Sequence, residues 1–142
     1  MNFDLTKTLE QLDGHVWDIP NYNSSLVKTC HLLRKKPLNE FKIEDLRIMI
    51  GQNFNLNFLI PIAIEKLKEN ILAEGRFYEG DLLNSVLTSE KKFWLENKKD
   101  WQICCGLFEN SMELLKEFDT TDEIKESWFK NFQIFKSLVV SA

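Results

Sequence analysis

The chain has 142 residues, of which 44% are hydrophobic and 28% charged, a composition that excludes disorder and fits one globular domain able to bury a core without disulfides or metal. Eighteen basic residues against twenty-two acidic ones give a formal net charge of -4, which argues against a dedicated nucleic-acid binder and suits a basic partner. The opening Met1-Asn2-Phe3-Asp4-Leu5 has no positive region ahead of an apolar run, and no stretch approaches a membrane span. A cytoplasmic location is therefore expected, with Cys30, Cys104 and Cys105 as reduced thiols.

The first element is a short amphipathic turn through Leu5, Leu9 and Leu12 that stops at Asp13-Gly14. A loop through Pro20 leads to a helix capped by Asn23 or Ser24, with Leu26, Val27, Cys30 and Leu33 on one side. Its last turn, Arg34-Lys35-Lys36, sets cations at the negative end of the helix dipole, and Pro37 prevents continuation. The next helix opens near Ile43, with Glu44 and Asp45 in its first turn and Leu46, Met49 and Ile50 facing inward, and ends over 51–55. Residues 56–69 form another helix. Pro61 is tolerated there if the first turn begins close to Asn57, and a kink is the competing outcome. Phe77 to Leu83 reads as a turn into a helix that starts at Asp81 and packs Leu82, Leu83, Val86 and Leu87. Phe93, Trp94 and Leu95 make an apolar cluster after it.

Trp101, Cys104, Cys105, Phe108, Met112 and Leu115 fall on one stripe of an α-helix. A second long helix follows, opened by a Thr120-x-x-Glu123 capping box and carrying Ile124, Trp128, Phe132, Phe135 and Val139 at the same period. Two such helices joined by a short polar link pack antiparallel, and no period-two alternation occurs anywhere. The chain as a whole, 1–142, is expected to be all-α, a single-domain antiparallel helical bundle of about six to seven helices.

Chemistry has few carriers. His15 and His31 are the only histidines. Adjacent residues on a helix point about 100° apart, so Cys30 and His31 cannot share a metal without further ligands from Cys104-Cys105, and zinc-type spacing is absent. Neither metal nor cofactor is expected. Cys30 reads as a small buried hydrophobe and His31 as a surface or interhelical hydrogen-bonding group. Cys104 and Cys105 lie on the apolar stripe, where a thiol is inert rather than activated, while Cys30 with His15 stays open as a nucleophile and base. The basic run Arg34-Lys35-Lys36 is expected to be a solvated dipole partner.

The acidic residues are more informative. Glu109, Glu113 and Glu117 lie four apart beside the Trp101 stripe, and Asp119, Asp122, Glu123 and Glu126 continue them, giving seven acids against only Lys116 and Lys125 over 109–126. They make either a solubilising outer face or a docking surface for a basic protein.

The segments Cys30-His31-x-Leu33-Arg34-x-Lys36-Pro37-Leu38, Glu44-Asp45-Leu46-Arg47-x-x-Ile50-Gly51-Gln52, Leu59-x-Pro61-x-Ala63, and Phe77-Tyr78-x-Gly80-Asp81-Leu82-Leu83 with Phe93-Trp94 occur in that order. Together they resemble the immunity proteins of bacterial contact-dependent growth inhibition systems. The chain departs from that pattern at Glu79, where the turn often carries proline, and at Lys42, where a small polar cap is usual. The resemblance implies a cytoplasmic, non-enzymatic inhibitor. Its partner would be the C-terminal toxin domain of a cognate surface-delivered effector, often a nuclease, whose active site or access to substrate it blocks. Immunity proteins discriminate by residues that differ between relatives, so Arg47, Gln52 and Asp81 are expected to serve buried hydrogen bonding and capping. Toxin contact is expected at Glu109, Glu113, Glu117, Asp119, Asp122, Glu123 and Glu126. A helical regulatory or adaptor module with another protein partner, and an enzyme using Cys30 or His31, are the alternative readings.

Overall fold

Capping groups set the helix boundaries, because each helix leaves its first N–H and last C=O groups without intrahelical partners. Thr8 and Gln11 form a reciprocal capping box that opens α1 (Leu9–Asp13), and Gly14 closes it at φ 70°. The computed structural model describes residues 2–18 and 24–139. The expected loop at Pro20 and the alternative cap Asn23 lie outside them. Ser24 caps α2 (Ser25–Leu33) through the Val27 N–H. A 3-10 turn at Leu38–Glu40 follows Pro37 and leads into α3 (Ile43–Gly51), where the Asp45 carboxylate accepts from the Lys42 N–H at 2.8 Å. This carboxylate does part of the work of the small cap that Lys42 lacks.

Helix α4 (Leu56–Glu69) runs unbroken through Pro61, its sixth residue. The missing N–H of Pro61 deprives the exposed end of the helix near Asn57 of one acceptor bond, and packing of seven buried residues along α4 outweighs that loss. A loop anchored by the Asp81 carboxylate leads to α5 (Asp81–Leu87), which buries every residue except Ser85 and packs on α3, α4 and α9. Then come α6 (Lys91–Glu96), α7 (Lys98–Asn110), α8 (Met112–Glu117) and α9 (Asp122–Ser137).

The described residues thus form nine α-helices and no strand, against the six to seven expected. Two features raise the count above seven: Phe93, Trp94 and Leu95 lie in a helix of their own, α6, and the chain breaks at Ser111. The Ser111 backbone at φ -107° and ψ 6° splits the Trp101 stripe into α7 and α8, although Cys104, Cys105, Phe108 and Leu115 stay buried as the periodicity predicts. The start of α9 is also displaced by one residue: Thr121, not Thr120, accepts from the Ile124 N–H. Leu26 and Leu95, expected to pack, are 42% and 43% exposed.

The α7–α8 segment runs antiparallel to α9. Trp101 donates its indole N–H to the Phe135 carbonyl at 2.9 Å, Phe108 stacks on Phe132 with ring centroids 4.0 Å apart, and Lys125 reaches the Lys116 carbonyl at 2.7 Å. Trp94 meets the edge of Phe135 at 4.8 Å and satisfies its N–H on Ser89 Oγ. One buried apolar cluster extends from Leu9 to Val139.

Polar groups tie the elements together at three points. Asn84 donates to Tyr78 Oη and Ser127 Oγ, both at 2.9 Å, and accepts from Asn131, which fixes α5 to α9. Glu44, Arg47 and Asp81 join α3 to the loop before α5. Arg34, at the end of α2, reaches Asp13, Asn55 and the His15 carbonyl.

Two tests follow from these contacts. Gly14 and Gly80 both have positive φ, but a Cβ at Gly14 meets nothing within 4 Å, whereas one at Gly80 would stand 2.6 Å from the Trp128 indole. In urea unfolding, Gly14→Ala should therefore cost about 1 kcal/mol and Gly80→Ala about 2–4 kcal/mol, the excess measuring the clash. Hydrogen bonding to Arg34 holds the Asp13 carboxyl down at about 2, from an ordinary value of 3.8. A lowered carboxylate pKa contributes stability that is complete above the unfolded value and lost as acid is added through the folded one. Stability should thus fall between pH 4 and pH 2 by on the order of 1 kcal/mol from this group, discounted for the water that reaches Asp13, and Asp13→Asn should flatten that part of the profile.

Candidate functional site

The seven acidic residues expected to contact a partner are all exposed. They do not form one helix edge. Glu109 is in the last turn of α7, Glu113 and Glu117 are on α8, Asp119 is in the link, and Asp122, Glu123 and Glu126 occupy the first turns of α9. The break at Ser111 and the antiparallel return of α9 instead distribute them: Glu117, Asp119, Asp122, Glu123 and Glu126 lie around the α8–α9 turn, while Glu109 lies beside the last turn of α9. Glu109 pairs with Lys136 at 3.2 Å in a solvated contact, and among the described residues the other six make no ion pair. Lys125 donates to the Lys116 carbonyl at the end of α8 and, among the described residues, pairs with none of these carboxylates. Asp122 and Glu123 gain from the positive end of the α9 dipole. What the arrangement offers is a set of free acceptors for Arg and Lys side chains.

The basic run behaves differently from its expectation. Arg34 is 1% exposed and is not a solvated dipole partner. Its two terminal nitrogens reach Asp13 at 2.8 and 3.0 Å, Asn55 at 2.8 Å and the His15 carbonyl, and its guanidinium lies 4.7 Å from the Trp17 ring centroid. Lys35 and Lys36 pair with Glu10 and Asp45 at 3.0 and 2.7 Å. The run is therefore paired inside the molecule, although Arg34 Nε is buried with no hydrogen-bond partner among the described residues. The spacing of charges along a helix carries no sign of this, because Asp13 and Asn55 are both 21 residues away.

Arg47 forms a bidentate pair with Glu44, both contacts 2.7 Å, and this pairing holds the Glu44 carboxyl below the usual range. Asp81, 3% exposed, accepts from the N–H groups of Gly75 at 2.7 Å and Phe77 at 3.1 Å. Asp81 thus has the buried hydrogen-bonding role expected of it, and Arg47, half-buried, a hydrogen-bonding one; neither caps a helix. Gln52 is exposed and is the C-cap of α3 through its backbone N–H. Phe77 belongs to the same motif as Asp81 yet is 67% exposed, lying over Arg47 at 4.5 Å. Sequence reasoning missed it, since a phenylalanine beside a helix start reads as packing.

Burial pushes the Cys30 and Cys104 thiols up, and Cys105 up to about 11, so none of the three is poised as a thiolate. His31 Nε2 lies 2.8 Å from the Asp18 carbonyl and its ring meets the edge of Trp17. His15 sits in the loop after α1 and supplies a carbonyl to Arg34 rather than a ring to Cys30. A cavity of about 330 Å³ beside Cys30 is lined by Trp17, Leu26, Val27, Gln52 and Phe54 and is mainly apolar. Among the described residues no helix is long and apolar enough to cross a membrane.

No curated protein matches the chain. The family model described as CDI immunity proteins matches residues 11–103, more than half of the chain. The matched span contains Arg34, Arg47 and Asp81 with their partners and ends before Glu109, the first of the exposed acids. The chain belongs to the immunity proteins of contact-dependent growth inhibition systems.

Proposed function

We propose that this immunity protein binds the toxin domain of its cognate effector stoichiometrically and neutralises it by occlusion, without turnover, and that the acids from Glu109 to Glu126 form the contact surface. The supporting observation is their position: exposed, almost free of internal ion pairs, and outside the span matched by the family model. Residues that build a shared scaffold are poor discriminators, while a surface beyond it is able to differ from one toxin partner to the next. An acidic surface fits a nuclease toxin, because a protein that binds phosphates needs Arg and Lys around its active site. Covering those cations blocks substrate whether or not the catalytic groups are touched. The burial that raises the Cys30 thiol, and a Cys30 that makes no side-chain hydrogen bond to His15 or His31 among the described residues, favour inhibition by binding over chemistry.

The toxin domain encoded immediately upstream should bind with nanomolar affinity, and expressing this chain should protect cells that produce that domain. Absence of both would refute the proposal. Reversing two charges, Glu113→Lys with Glu117→Lys, should slow association by roughly tenfold at low ionic strength and much less in high salt, since exposed charges act mainly through steering. Stopped-flow mixing across a salt series measures this. An unchanged association rate at low salt would remove these acids from the contact surface.

A further inference from the structure

A surface of free carboxylates steers and orients a partner, but binding energy concentrates in a few aromatic or arginine anchors set in a well-ordered frame. The acids on α7, α8 and α9 contain no such aromatic. An exposed one stands on the loop before α5. The loop of residues 74–80 is held from beneath by three backbone N–H groups: Gly75 and Phe77 donate to the buried Asp81 carboxylate, and Arg76 donates to Glu44 at 2.7 Å. Gly75 has no room for a side chain, since a Cβ there would fall 2.6 Å from Glu44 Oε1. The loop is thus ordered without a partner, and the Phe77 ring projects from it, 67% exposed, with only Arg47 beneath.

This loop is continuous with α9. Asn84 bridges Tyr78, next to Phe77, and Ser127, next to Glu126, with two 2.9 Å bonds from one amide nitrogen. Gly80 lies directly against Trp128. Glu74 and Glu79, both exposed, continue the acidic sign onto the loop. We infer that Phe77 is the apolar anchor of the toxin-binding surface, inserting into a recess bordered by basic side chains on the cognate toxin domain while the acids of α8 and α9 engage the surrounding cations. The inference rests on the acidic contact surface proposed above and assigns it a second edge. Prior ordering of the loop means that docking Phe77 loses little conformational entropy, which is the condition for an aromatic anchor to contribute strongly. A ring that served only to cover the Arg47–Glu44 pair would contribute to stability instead and leave binding untouched.

The test compares Phe77→Ala with the wild-type chain against the purified toxin domain, by calorimetric titration and by urea unfolding. Expected are an affinity at least tenfold weaker, carried mainly by faster dissociation, and an unfolding midpoint close to wild type. Unchanged affinity for Phe77→Ala overturns the inference, and if Glu113→Lys with Glu117→Lys still weakens binding, it overturns the anchor alone. Failure of the wild-type chain to bind overturns both the anchor and the acidic contact surface. Amide exchange on the wild-type complex reads the same loop without any substitution: slowed exchange across residues 76–79 supports the anchor, and unaltered exchange there overturns it.

Discussion

A guanidinium that is 1% exposed is the constraint around which the N-terminal half of this protein is arranged. Removing such a group from water costs several kcal/mol unless its charge and its donors are met. Here Asp13 supplies the opposite charge in a two-point contact, Asn55 and the His15 carbonyl take further N–H groups, and Trp17 offers the face of its ring. Those partners come from the end of α1, the loop beyond it and the start of α4. Asn55 adopts a left-handed backbone at φ 50°, a conformation that asparagine tolerates better than most residues, and its amide bridges Arg34 and Asp13. The Arg34 carbonyl in turn accepts from the Glu10 N–H at 3.2 Å. Lysine could not replace this residue, because a point charge lacks the planar fork that reaches several acceptors at once.

The same logic recurs at Arg47, where the fork is closed by Glu44, with Asp81 at 3.8 Å, and where two carboxylates organise the backbone of the loop before α5. These two nodes hold the chain in the region shared with the family, and they use their charges internally. The acids of α7, α8, α9 and the α8–α9 link have the opposite character: they are solvated, nearly unpaired and of one sign. The charges that hold the fold are thus separate from the exposed acids proposed for recognition, so those acids can change without loss of the scaffold. Phe77, the proposed anchor, is exposed on a loop that the scaffold fixes.

Much of the fold is legible in the sequence because it rests on local chemistry. The bounds of α3 and α4, the stop at Gly14 and the burial of Leu82, Leu83, Val86 and Leu87 follow from period and caps within a few residues. Some of what the sequence hides is set by distant partners. The burial of Arg34 depends on Asp13 and Asn55, and the exposure of Phe77 depends on Asp81 and Glu44 holding its loop outward, so neither is visible in a helical pattern. The break at Ser111 is hidden for another reason: periodicity runs across it without interruption, and the bonds at the break, Ser111 N–H to the Phe108 carbonyl and Leu115 N–H to the Ser111 carbonyl, are local ones that leave no mark on the residue pattern. Of the candidate surface, the sign and exposure of its acids were legible, while their spread over three helices required the fold.

The separation of scaffold from recognition is tested most directly by measuring urea unfolding and toxin affinity together for Arg34→Lys. This change keeps the charge and removes the fork. A loss of about 3 kcal/mol in unfolding free energy, with the folded protein binding its toxin as tightly as wild type, is the predicted result. An unchanged unfolding midpoint, or a stable protein that no longer binds, would contradict it.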